Sequence, residues 1–250
     1  MSPNYSSDLN ATDVKFFQFD PELVARNVLR RIRITPIFSS LRMRVCLYVI
    51  VSIFLSIFLS IFVMNRVAGI ESAFKSYALI TPQPLTSLRG FLSFFPVIPC
   101  ILVALLIKNY FDGLAYEALS RVNFWISDSL GKKDRPSMDD IFEQAAMFFS
   151  SSALDPNAKF GPLFLEVSNR IRKGDYATFE LAELIKYYRG NAMLVLEQGS
   201  MTGEIAESYA QVAEGFLTLS CQKMNFILTW FTVLNIVLIA CSVYVFIILV

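Results

Sequence analysis

Three long apolar runs divide this chain, and the polar stretches between them repeat at helical spacing. Residues 45–64 read VCLYVIVSIFLSIFLSIFVM, with no charge anywhere in the run. At about 1.5 Å of rise per residue, twenty residues reach roughly 30 Å, the thickness of a bilayer's hydrocarbon core. Residues 91–107 (FLSFFPVIPCILVALLI) are shorter and carry Pro96 and Pro99. Paired with the first run as a hairpin, they are predicted as a second span. Residues 226–250 form a third apolar run whose one amide is Asn235. The pattern between spans two and three is different. Over residues 108–225, apolar positions recur at three and four, strand alternation is absent, and turn residues interrupt every 10–20 positions. The sequence therefore predicts an all-α polytopic membrane protein, with three transmembrane helices and one cytoplasmic domain built as a six-helix bundle.

Within 108–225 the helices are predicted one by one. Residues 112–130 place Leu114, Ala118, Val122, Trp125 and Ile126 on one face, and Gly131 ends the run. GKKDRP is a turn. Ser137 and Asp140 resemble a capping box, ahead of Ile141, Ala145, Phe148 and Phe149. Asp155-Pro156-Asn157 breaks that helix, and Gly161-Pro162 opens the next, with Phe164, Val167 and Ile171 inward and Gly174 past its end. Residues 175–189 form another helix, closed by Gly190, and 191–198 a short one. Then comes GSMTG at 199–203, read as a turn in which Thr202 caps a last helix and Glu204 and Glu207 sit near its positive dipole end. That helix carries Ile205, Tyr209, Val212, Phe216 and Leu219 on one stripe and runs into the third span. The turn is expected to set the angle at which the chain leaves the bundle for the membrane.

Charge placement orients the spans. Arg26, Arg30, Arg31, Arg33, Arg42 and Arg44 precede the first span, whereas the loop at 65–90 holds only Arg66, Lys75 and Arg89 as basic residues. The N-terminus is expected in the cytoplasm, the loop outside, and the C-terminus in the periplasm. Residues 1–44 form an N-terminal cytoplasmic arm, too long and too acidic at its start for a cleavable signal peptide. Asp20-Pro21-Glu22 opens a basic amphipathic helix within it, with Leu23, Val24, Val28 and Ile32 on one side. Such a helix suits anionic membrane lipid or a docking partner. ITPQPLT, at 80–86, reads as extended turn.

Composition narrows the chemistry. The chain has 250 residues, 55% hydrophobic and 17% charged, with a net charge of +1. That balance suits a membrane protein and offers no basic face for nucleic acid. There is no histidine, which rules out His-ligated metal and Ser-His or Cys-His nucleophile pairs. Cys46, Cys100, Cys221 and Cys241 make no Cys-x-x-Cys and suggest neither disulfides nor zinc. No phosphate-binding loop, zinc-protease motif, calcium loop or dinucleotide fingerprint occurs, so no cofactor and no catalytic residue are expected. The carboxylate pairs Asp139-Asp140 and Glu180/Glu183 read as a helix cap and a solvated face. Ser52, Ser56 and Ser60 recur at i+4 along the first span and suit close helix packing better than a transport path. Asn235 is expected to hydrogen-bond a neighbouring span or subunit.

The stretch MLVLEQGSMTGEIAESYAQVAEGF, residues 193–216, has an apolar run, Gly-x-x-Thr-Gly, a short acidic helix and then a membrane span. It resembles the type II secretion system F family, the inner-membrane platform proteins of type IV pilus assembly and type II secretion. VSNRIRKGDYATFELAEL at 167–184 is similar to that family's second landmark, a helix ending in Ile-x-x-Gly. The likeness covers roughly residues 90–250. It implies a non-enzymatic platform in the bacterial inner membrane that couples a hexameric cytoplasmic assembly ATPase to pilin or pseudopilin and other inner-membrane assembly proteins. It also implies that Gly199, Thr202 and Gly203 shape a corner where Ser200, Glu204 and Glu207 are candidates for partner contact. Two departures stand out. The family usually has an acidic residue where this chain has Ser200, and it tends to have a second helical domain before the first span, where 1–44 is too short. A minimal member, a truncated reading frame, or a homo-oligomer that supplies the missing half would each explain the second departure. The other readings are a small transporter or channel subunit and a membrane-anchored scaffold.

Overall fold

The computed structural model describes residues 21–76, 96–132, 136–149 and 157–249. Every regular element among them is helical: α1 Pro21–Ser76, α2 Val97–Leu130, α3 Met138–Phe148, α4 Phe160–Arg172, α5 Ala177–Leu184, a 3-10 turn Lys186–Tyr188, α6 Asn191–Thr202 and α7 Ile205–Leu249. Three helices are long and apolar enough to cross a membrane, over Ser40–Ala73, Val97–Leu130 and Ile205–Tyr244. The chain is a helical membrane protein. It divides into two compact units. One, the helical unit, contains Phe111–Cys221 together with the described residues up to Ile37; the other, the membrane unit, contains Phe38–Tyr110 and Gln222–Val250. Helices α1, α2 and α7 each contribute residues to both units.

The helical unit is built around the lower half of α2. Ala115, Leu119, Val122 and Ile126 are buried on it, and so are Ser120, Asn123 and Ser127 on its other sides. Leu114 and Ala118, read from sequence as core, are only half-buried, because α2 is covered nearly all round and its deepest line is shifted by one residue. Around it packs an aromatic core. Phe142 and Phe164 stack at 6.1 Å, Phe149 stacks on Phe164 at 5.5 Å, and Tyr188 meets Phe216 edge-on at 5.2 Å. Burying rings of this size supplies about 1.5–3 kcal/mol each. Helix α3 starts as the capping residues require, with the Asp140 amide donating to Ser137 Oγ.

Two arginines at the end of α4 tie it to its neighbours. Arg172 pairs with Asp139 at 2.8 Å and with Glu143, both on α3. Arg170 pairs with Glu180 at 2.8 Å and Glu183 at 3.4 Å, both on α5. The two carboxylate pairs read from sequence as a cap and a solvated face are thus the receptors of these guanidiniums, and Glu180 is buried. Hydrogen bonds from Ser137 and Arg172 hold the Asp139 carboxyl below its usual range.

The membrane unit has a thinner core. Leu59, Val63 and Val67 of α1 close on Leu238 of α7. Ser52 Oγ donates to Asn235 Oδ1 at 2.8 Å, and the Asn235 amide reaches the Tyr48 carbonyl at 3.4 Å. Lys223 Nζ donates to Asn109 Oδ1 at 3.0 Å. Ser52 and Ser56 are fully buried.

Several predicted boundaries move. Residues 65–76, expected as loop, continue α1, because a charge such as Arg66 marks the edge of the apolar run without breaking a helix. Residues 97–130, expected as a span and a separate helix, are one helix; Pro99 falls in its first turn, where a missing amide costs nothing. The helix expected over 175–189 stops at Leu184. Ile185 is extended, and a 3-10 turn swings Tyr188 into the core. The segments ITPQPLT, Asp155-Pro156 and residues 1–20 lie outside the described residues.

Candidate docking corner and its supports

The corner between α6 and α7 is built differently from the turn expected at 199–203. Helix α6 runs through Gly199, Ser200, Met201 and Thr202, and Gly203 ends it in the left-handed conformation, φ 81° and ψ 5°. Only glycine takes that conformation without strain. Thr202 is therefore the last residue of α6 and not the cap of α7. Glu204 takes the place before α7, its carbonyl accepting from the Ser208 amide at 3.0 Å and from Ser208 Oγ at 3.0 Å.

Gly199 is buried in the last turn of this helix, and its role is closeness. A Cβ placed on it would lie 2.5 Å from Ser208 Cβ and 3.2 Å from the Glu204 carbonyl oxygen. No real Cβ sits that near another carbon, so the lack of a side chain is what lets α6 lie against the first turn of α7. Ser208 is the partner that sequence reading missed. The upstream end of α6 is fixed by Gly190, whose φ of 79° and ψ of −127° belong to glycine alone. Helix α6 thus hangs between two glycines with positive φ. It buries Leu196 and Gly199 but leaves Leu194 62% and Met201 78% exposed.

The sequence-predicted site residues are only partly gathered here. Ser200, Thr202 and Glu204 are exposed at the corner, and Glu207 is half-buried in the first turn of α7. Gly174, at φ 100°, belongs to the separate turn between α4 and α5. Asn235 belongs to the membrane unit, bound to Ser52. On α7, Tyr209, Val212 and Phe216 are buried as the stripe requires, but Leu219 is exposed and Ser220 takes the inward place.

Ser220 belongs to a seam between α2 and α7 inside the helical unit. Ser127 Oγ donates to the Ala206 carbonyl at 2.7 Å. One heptad along, Ser120 Oγ donates to the Ala213 carbonyl at 2.7 Å. One heptad further, the direction reverses and Ser220 Oγ donates to the Gly113 carbonyl at 2.7 Å. The two helices run antiparallel in exact heptad register, with small residues at each contact. Small side chains let the backbones approach, and each hydroxyl satisfies itself on the opposite main chain. The signal was in the sequence as Gly113, Ser120, Ser127 and Ala206, Ala213, Ser220, a spacing of seven on each helix.

Beside this seam lies a buried polar pin. The Asn123 amide donates to the Leu119 carbonyl at 2.7 Å and to the Tyr188 hydroxyl at 2.6 Å. Its Oδ1 is buried without a partner. Burial raises the Tyr188 phenol far above its usual range, so the pin stays neutral. It fixes the 3-10 turn, and with it the start of α6, to the central helix. No family model, no curated protein and no solved structure matches this chain.

Proposed function

We propose that this protein is a non-enzymatic membrane platform that couples a cytoplasmic assembly ATPase to pilin or pseudopilin assembly, as in type IV pilus biogenesis or type II secretion. One observation carries this reading. Helices α2 and α7 are locked by three hydroxyl-to-carbonyl bonds in the helical unit, and the same two helices continue as apolar membrane spans. These two helices give a force applied to the helical unit a path to the membrane. The corner at Gly199–Glu204 gives a partner a place to push. It is glycine-defined and close-packed, with Ser200 and Glu204 exposed and Glu207 beside them.

On this reading the helical unit is cytoplasmic and the membrane is the bacterial inner membrane. The test is a mild-detergent pull-down of the full-length chain from cells that express an assembly ATPase. Wild type should recover the ATPase and pilin-like subunits, and Glu204→Lys/Glu207→Lys should lose them. Recovery of no ATPase by the wild-type chain, or normal fibres and secretion after its deletion, would refute the platform.

A further inference from the structure

We propose that the helical unit carries a binding site for anionic phospholipid headgroups, built from Lys159 and Lys186 on an aromatic base. The inference rests on α2 as a membrane span and does not depend on the platform reading. Asp112 lies five residues after Ile107, where the apolar run ends, on the unbroken helix α2. At about 1.5 Å per residue that is roughly 7 Å beyond the hydrocarbon, and each headgroup layer is about 5–8 Å deep. Asp112 therefore stands at headgroup depth. It is half-buried, and its Oδ1 accepts from the Tyr187 hydroxyl at 2.8 Å. The bond holds the 3-10 turn at the depth of the first residues of α2 beyond the span.

Around that bond three rings form a short row. Tyr116 meets Tyr187 edge-on at 5.0 Å, and Phe160 meets Tyr187 edge-on at 5.8 Å. Two of the three carry a cation. Lys186 Nζ sits 5.0 Å from the centre of the Tyr187 ring, and Lys159 Nζ 5.4 Å from that of Phe160. Two rings in contact thus hold two ammonium groups on one cluster. Both lysines are exposed, and neither makes an ion pair among the described residues. The carboxylate bonded within the cluster, Asp112, is engaged by Tyr187. Two cations on an aromatic support at this depth fit a phosphate anchored in a bilayer. Tyrosine is enriched at the membrane–water interface, and a lysine there is drawn to an anionic surface over a Debye length of about 8–10 Å. An acidic segment of a soluble protein would match the charge but not the depth.

The experiment places the purified full-length protein in phosphatidylcholine vesicles with a trace of phosphatidylglycerol that bears a photoreactive diazirine next to its headgroup. Illumination and peptide mass spectrometry should find the label at 157–160 and 186–189, about tenfold above the yield with the same diazirine on phosphatidylcholine. Lys159→Gln and Lys186→Gln should each lower the phosphatidylglycerol yield about fivefold. The pair Lys159→Arg/Lys186→Arg should keep it, which separates charge from a folding defect. Lys132→Gln, just past the other end of α2, should leave it unchanged. The proposal is wrong if both lipids label equally, if the glutamine changes leave the yield unmoved, if the arginine pair also loses it, or if Lys132→Gln lowers it as much. It is equally wrong if glycerol phosphate in solution abolishes the label, since the site then takes a soluble phosphate. Absence of label from both segments would leave the lysines to an acidic protein partner and overturn it too.

Discussion

The helical unit and the membrane unit are made of the same element and held together in different ways. In the helical unit, Phe142, Phe164, Phe149, Phe160, Tyr188 and Tyr209 meet in one buried cluster. In the membrane unit, Phe54, Phe58, Ile61 and Trp230 point outward, and the described buried residues are mostly aliphatic, Leu59, Val63, Val67 and Leu238 among them, with Phe231 the one buried ring among the described residues. Hiding apolar surface from water rewards a thick core. Among lipid chains the same surface gains nothing by turning inward, so helix contacts rely on small residues and hydrogen bonds. The Ser52–Asn235 bond fits that rule. The α2–α7 seam carries the same small-residue, hydroxyl-to-carbonyl packing into the helical unit, where it stands beside an aromatic core.

The largest test of this contrast deletes a ring from each unit. Phe142→Ala should cost about 3–5 kcal/mol, because it opens a cavity in the aromatic cluster. Phe54→Ala, 72% exposed, should change stability by less than about 0.5 kcal/mol. Denaturant titration in mild detergent, followed by tryptophan fluorescence, measures both; equal losses would erase the distinction.

A smaller effect compares the two buried amides. Asn123→Leu leaves the Tyr188 hydroxyl without its partner and should cost about 1–3 kcal/mol, much of it recovered when Tyr188→Phe is added. Asn235→Leu should cost only about 0.6–2 kcal/mol, the range for single hydrogen bonds between membrane helices. If adding Tyr188→Phe recovers nothing, the pin between α2 and the 3-10 turn is not the bond its geometry indicates.

The smallest effect is acid sensitivity, and it belongs to the helical unit. The Asp139 carboxyl has a lowered pKa in the folded protein, from its bonds to Ser137 and Arg172. Its contribution is present above the unfolded carboxyl value of about 3.9 and is lost as pH falls through the lower folded value. Thermal melts should therefore show a modest loss from Asp139→Asn at pH 6, and the gap to wild type should shrink as pH falls below about 4. The opposite order would place the carboxylate outside the ion pair.

Sequence reading found the long-range plan because each part of it is a property of single residues. Hydropathy over twenty positions locates the spans, whatever packs against them. Pro21 starts α1, and Gly174, Gly190 and Gly203 sit where the chain needs positive φ. Helix ends were less legible. Arg66 and Glu71 are polar without being helix breakers, so α1 runs on past the apolar stretch to Ser76.

What only the tertiary structure decided is what pairs of residues do. Gly199 looks like a turn glycine until Ser208 is placed against it, and Thr202 looks like a cap until Gly203 closes α6 in front of it. Ser120, Ser127 and Ser220 read singly as ordinary helix serines. Their seam exists because α2 and α7 run antiparallel at one register, and that register is chosen by the whole aromatic core. A sequence states each residue's own preference for water, lipid or a turn. Which backbone lies within reach of a hydroxyl is settled only when the helices have packed.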